Sequence, residues 1–155
     1  MKKKSNLLMY IIGTMIILTL SNCGKDDKDN KVQTITGYVQ KGPFINGSSV
    51  TVYDLKSDLS ATGKTYVSQI TDDKGRFKLN DVSLSSNYVS LRADGFYFNE
   101  VSGKQSVSQI TLFALSDINN KTEININILT NLEKARVEYL IKSGKSFSEV
   151  KTQAQ

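Results

Sequence analysis

Apolar and polar positions alternate with a period of two through the middle of the chain. VQTITGYVQ (residues 32–40) sets Val32, Thr34, Thr36 and Tyr38 on one side, and its β-branched residues favour an extended backbone. The run ends at KGPFINGS, which holds the only proline and two glycines and predicts a loop. SVTVYDL (49–55) alternates again, with Val50, Val52 and Asp54 opposite Thr51, Tyr53 and Leu55. KTYVSQIT (64–71) follows. DDKG (72–75) has the composition of a β-turn, with Asp to bond the local backbone and Gly to take positive φ. RFKLN (76–80) is expected to return as a hairpin partner with Phe77 and Leu79 inward. NYVSLRADG (87–95), QSVSQITLFAL (105–115) and TEINI (122–126) bring the number of short strands to about seven. This spacing predicts a mainly β fold, an antiparallel sandwich over residues 32–126.

The pattern changes over residues 127–155. NILTNLEKARVEYLIKSGK has helix formers, and within the apolar set Leu129, Leu132, Val137, Leu140 and Ile141 spacings of three and four occur, from Leu129 to Leu132 and from Val137 to Leu140 and Ile141. Thr130 and Glu133 read as a capping box at its start, and Gly144 as its C-terminal stop. Ser146 and Glu149 make a second box in SFSEVKTQAQ. A helix of about nine residues is marginal unless packed. This C-terminal segment is expected either to begin a longer helical region or to be a short docked helix.

The first residues follow a different logic. Lys2, Lys3 and Lys4 precede Leu7–Leu20, fourteen residues without charge. A membrane-crossing helix needs about 20 apolar residues, so this run has the length of a signal-peptide core. Residues 1–22 are expected to be a removable signal peptide, with a short uncleaved anchor as the alternative. The polar run GKDDKDNK puts a flexible tether at residues 23–31. Asp26, Asp27 and Asp29 lack the later glycine and glutamate of a calcium loop and read as part of that tether.

The single cysteine, Cys23, lies between the oily run and the charged one. No disulfide can form within the chain. An intermolecular disulfide or an idle thiol would explain the flanking sequence less well. LSNC resembles the lipobox of bacterial lipoproteins, with Leu20 at −3, Ser21 at −2 and Cys23 at +1; Asn22 stands where that family prefers Gly, Ala or Ser. The resemblance implies cleavage between Asn22 and Cys23, lipidation of Cys23, and anchoring in the outer membrane by several acyl chains, since one holds only marginally. Cys23-Gly24-Lys25-Asp26-Asp27 also resembles the acidic export signal of surface lipoproteins in some Gram-negative bacteria. That resemblance implies the cell surface, with the periplasm-facing leaflet as the alternative.

A second resemblance covers residues 33–115. Gly37 and Val39, then Pro43 to Gly47, Val50 and Val52, then Thr71, Asp72, Gly75 and Phe77 follow the pattern of the carboxypeptidase regulatory-domain-like, or transthyretin-like, β-sandwich. LRADGFYFNEVSG (91–103) resembles a segment of bacterial lipoproteins that carry this domain. The resemblance implies an Ig-like sandwich with a structural, non-catalytic role beside an enzyme, receptor or adhesin.

Composition narrows the function further. The chain has 20 Lys+Arg against 15 Asp+Glu, and three of the lysines lie in the leader. Cleavage before Cys23 leaves a net charge near +2, too weak to argue for nucleic acid. There is no histidine, and no G-x-S-x-G elbow, P-loop or H-E-x-x-H run. No catalytic residue, metal site or cofactor is expected. Asp72 and Asp73 read as turn residues, and Glu100 has no partner carboxylate for glycoside hydrolysis.

The aromatics remain. Phe96, Tyr97 and Phe98 are consecutive, so in extended backbone they cannot all face one core. Tyr88, Phe96 and Tyr97 are the candidate ligand contacts, with packing beneath the tether or C-terminal helix as the alternative for Tyr97. Two functions are expected from this. One is a lipid-anchored structural spacer or docking module. The other is a glycan- or protein-binding accessory lipoprotein, such as an adhesin or nutrient-capture protein.

Overall fold

A computed structural model describes residues 32–154 of the chain. The expected signal peptide, cleavage site, lipidated Cys23 and tether lie outside the described residues. Nine strands and two helices follow in order: β1 (Val32–Gln40), β2 (Ser49–Leu55), β3 (Ala61–Gln69), β4 (Arg76–Ser83), β5 (Tyr88–Gly95), β6 (Phe98–Asn99), β7 (Lys104–Gln105), β8 (Ile110–Asp117), β9 (Ile126–Asn127), α1 (Ile128–Lys142) and α2 (Phe147–Ala154).

Seven strands form two facing sheets, β4-β1-β9 and β3-β2-β5-β8, while β6 and β7 make a small separate hairpin. The mainly β, antiparallel sandwich followed by a short helical segment is the fold that the alternation predicts. Ile35, Val39, Phe77 and Leu79 from one sheet meet Val50, Val52, Leu91 and Leu112 from the other in a buried core. Burying one such side chain contributes about 1.5–3 kcal/mol.

Two pairings differ from expectation. The strand at 76–80 is not the hairpin partner of its predecessor. β4 pairs antiparallel with β1, Tyr38 opposite Arg76 and Gly37 opposite Phe77, so the 70–75 loop carries the chain from one sheet to the other. β3 and β4 meet through side chains: Ser68 Oγ donates to the Lys78 carbonyl at 2.7 Å, and the Tyr66 hydroxyl donates to the Ser83 carbonyl. The last strand runs parallel to β1, with Val39 opposite Ile126. Gly37 makes this approach feasible, because a Cβ there would collide with the Ile124 carbonyl.

Helices form a third layer on the outer face of the four-stranded sheet. Leu55 and Leu115 point out of that sheet and pack with Val137, Phe147 and Val150 in a second core. Helix α1 starts earlier than the Thr130–Glu133 box implies. Asn127 is its N-cap, its side chain accepting from the Thr130 N–H at 3.0 Å, while the Thr130 hydroxyl accepts from the Asn127 N–H at 2.9 Å. Glu133 pairs instead with Lys151 of α2 at 2.5 Å. At the second helix Glu149 does reach back to the Ser146 N–H, at 3.0 Å.

Candidate functional site

β1 gives the molecule two poles. It takes eight steps from Val32 to Gln40, about 26 Å of extended chain. At the Val32 end, Gln33 lines a polar hollow of about 190 Å³ with Ser85, Asn87 and Asn119. At the Gln40 end lie the 41–48 loop, the 70–75 loop and the 96–109 segment, and the local sequence holds each in place.

The 72–75 turn is built as its composition predicts. Asp72 Oδ1 accepts from the Lys74 N–H at 2.9 Å and the Arg76 N–H at 3.0 Å. The Arg76 N–H, with help from Lys74, holds this carboxylate below its ordinary pKa of 3.8. Gly75 takes φ +78°, and its carbonyl accepts from the Val39 N–H at 2.8 Å.

The aromatic run lies against the 41–48 loop. The Phe98 N–H donates to the Pro43 carbonyl at 2.8 Å, and the Ile45 N–H to the Phe96 carbonyl at 3.1 Å. Held this way, the three rings diverge. Tyr97 stacks toward the fully buried Phe44, with ring centroids 6.4 Å apart. Lys41 Nζ lies 4.6 Å over the Tyr97 ring and donates to its hydroxyl at 2.9 Å. Phe98 faces solvent at 39% exposure. Phe96 lines a groove of about 310 Å³ with Asn46, Ser49, Asp94 and Gln109. Asp94 there accepts from Thr111 and pairs with Arg92 at 2.8 Å, and that bond raises the Arg92 pKa.

A second cleft of about 400 Å³ opens beside Lys41, between Pro43, Glu100, Asn127, Ile128 and Leu129. It carries one charge of each sign over an apolar wall. Such a cleft can seat an extended peptide or a polar small molecule by shape and hydrogen bonds.

The structure therefore brings Phe96 and Tyr97 to one pole, in separate surroundings, and places Tyr88 elsewhere. The Tyr88 ring packs on Phe147 of α2 with centroids 5.1 Å apart, inside the second core. Lys41 and Pro43 are pole residues that sequence reasoning did not mark as contacts. Their only signal was the KGPF loop between two alternating strands.

The buried carboxylate of Asp54 is a separate feature. It is fully buried, and its Oδ2 accepts from the Thr62 hydroxyl at 2.8 Å and the Ser85 N–H at 3.0 Å. Its Oδ1 has no hydrogen-bond partner among the described residues. Among those residues no three His, Cys, Asp or Glu side chains gather as a metal site, and no helix is long and apolar enough to cross a membrane. The chain matches no known family model and no curated protein, so its geometry carries the functional argument.

Proposed function

We propose that this protein is a lipid-anchored lipoprotein of the cell envelope, held in the outer membrane through Cys23, whose sandwich is a non-catalytic spacer or docking module. The observation that carries this reading is the separation of its ends. β1 begins nine residues after Cys23, and the loops carrying Lys41, Tyr97 and Phe98 lie at the opposite end of that strand. An anchor at one pole leaves the other free to meet a partner. Gly37, Gly75 and Phe77, three positions behind the likeness to transthyretin-like domains, have clear structural tasks here, which supports that part of the reading. The Cys23-Gly24-Lys25-Asp26-Asp27 run favours display at the cell surface.

The test is the intact mass of the protein extracted from its native membranes. The expected mass lacks residues 1–22 and carries three acyl chains. A lipid-free mass that still includes residues 1–22 overturns the anchor.

The Phe96 groove favours a second reading, a glycan- or protein-binding accessory. An aromatic ring among Asn46, Asp94 and Gln109 supplies a stacking face and hydrogen-bond partners, the chemistry a sugar needs. A glycan array with no hit for the purified protein sinks its glycan form.

A further inference from the structure

Helix α1 has an apolar face that its own fold leaves uncovered. Val137 points into the second core and is fully buried. On the side away from it lie Ile128, Leu132, Ala135 and Tyr139, spaced four, three and four residues apart, which makes one continuous stripe at 3.6 residues per turn. Leu132 is 68% exposed and Tyr139 71%. Side chains of this size in a row are not ordinary surface.

The charges beside the stripe show what it fits. By helical position Arg136 lies on one shoulder and Lys142 on the other. Among the described residues neither pairs with a carboxylate, whereas the acids of the helix are taken: Glu133 by Lys151 and Glu138 by Lys134. The uncompensated charge on the helix is thus positive, while Lys41 and Glu100 beside its Ile128 end are one charge of each sign. An apolar stripe with an interfacial tyrosine and cations on both shoulders is complementary to an anionic bilayer surface. A bilayer would also be within reach, because the nine residues from Cys23 to Val32 span at most about 30 Å.

We propose that α1 is a second membrane contact, lying in the plane of the bilayer with Ile128, Leu132 and Tyr139 in the headgroup region of anionic lipids. The inference rests on the anchoring reading above. In this arrangement the helical layer faces the membrane and the sandwich lies on its side. The Lys41–Tyr97 pole then faces along the membrane surface, toward partners embedded in or bound to it.

The experiment uses the full chain, isolated from membranes and reconstituted in vesicles of phosphatidylcholine and phosphatidylglycerol. Acylation occupies the native thiol, so Leu132→Cys, Tyr139→Cys and Val107→Cys each add one labelling position. Val107, 99% exposed in the 96–109 segment, is the control. Each variant carries a small polarity-sensitive fluorophore and is challenged with nitroxide-bearing lipids, and its mass is read first. The expected result is an acylated mass, with strong quenching at 132 and 139 and none at 107. Arg136→Glu with Lys142→Glu, or vesicles of phosphatidylcholine alone, should abolish most of that quenching. An acylated protein whose label at 132 is no better quenched than at 107 overturns the membrane contact and leaves the anchor standing. A mass without acyl chains overturns the anchor and this inference with it.

Discussion

Two glycines at the Lys41 pole have positive φ for different reasons. Gly47, at +87°, has open space where a Cβ would go. Gly75, at +78°, would drive a Cβ into the Val39 carbonyl. Alanine at position 47 therefore costs only the left-handed backbone, about 1–2 kcal/mol. At position 75 it adds displacement of β1 from the turn, a further 1 kcal/mol or so. Urea unfolding of Gly47→Ala and Gly75→Ala checks this: the second should lose clearly more, and equal losses would mean that β1 yields freely. Gly75 was legible in the sequence because its neighbours Asp72 and Asp73 spell a turn locally. Gly37 showed its position in a strand but not its task, since the carbonyl it admits belongs to Ile124, far along the chain. Asp54 was legible in the same partial way. Alternation put it on the face of Val50 and Val52, but its partners Thr62 and Ser85 come from other segments.

Among the elements, strands were easier to read than their pairings. Period-two alternation reports that a segment has one buried face, and β1, β2, β4 and β5 were located by it. It does not report which neighbour supplies the hydrogen bonds. The turn at 72–75 suggested a hairpin, yet β4 buries Phe77, Leu79 and Val82 in the core from the β1 sheet, while β3 is an exposed edge of the other sheet that sends only Tyr66 against that core, so the chain crosses instead. The helix start shifted for a related reason. Asn127 and Thr130 satisfy each other's N–H groups, and the same threonine also protects a sheet edge. Its hydroxyl donates to the Phe113 carbonyl at 2.9 Å, while Asn131 Oδ1 accepts from the Phe113 N–H at 3.1 Å. These bonds occupy outward backbone groups of β8, whose other side pairs with β5. Thr130→Val keeps the shape and removes the hydroxyl's half of each: its bond from the Asn127 N–H and its bond to the Phe113 carbonyl. It should cost about 1 kcal/mol and speed amide exchange at Phe113 and in the first turn of α1. Unchanged exchange there would show that Asn131 alone holds the edge.

Taken as a whole, the molecule uses the strands β2, β5 and β8 twice, one face for each core. This separates what holds the fold from what is free to bind. The sequence flagged Tyr88, Phe96 and Tyr97 alike, because aromatic character is visible in a sequence and environment is not. Phe147, which occupies the ring of Tyr88, follows long after it, and Lys41, which covers Tyr97, is one lysine in a loop. The two positions should therefore respond oppositely to truncation. Tyr88→Ala empties the contact between the sheet and α2 and should lower stability by about 2 kcal/mol or more. Lys41→Ala removes an exposed cation from the Tyr97 ring and should cost less than about 1 kcal/mol. Urea midpoints of the two variants decide the order. If it holds, Lys41→Ala is a folded protein with an altered pole, and any partner or glycan affinity it loses belongs to that pole. If Lys41→Ala is the more damaging change, the Lys41–Tyr97–Phe44 stack is a structural plug for the end of the sandwich. Docking must then be sought at the Phe96 groove.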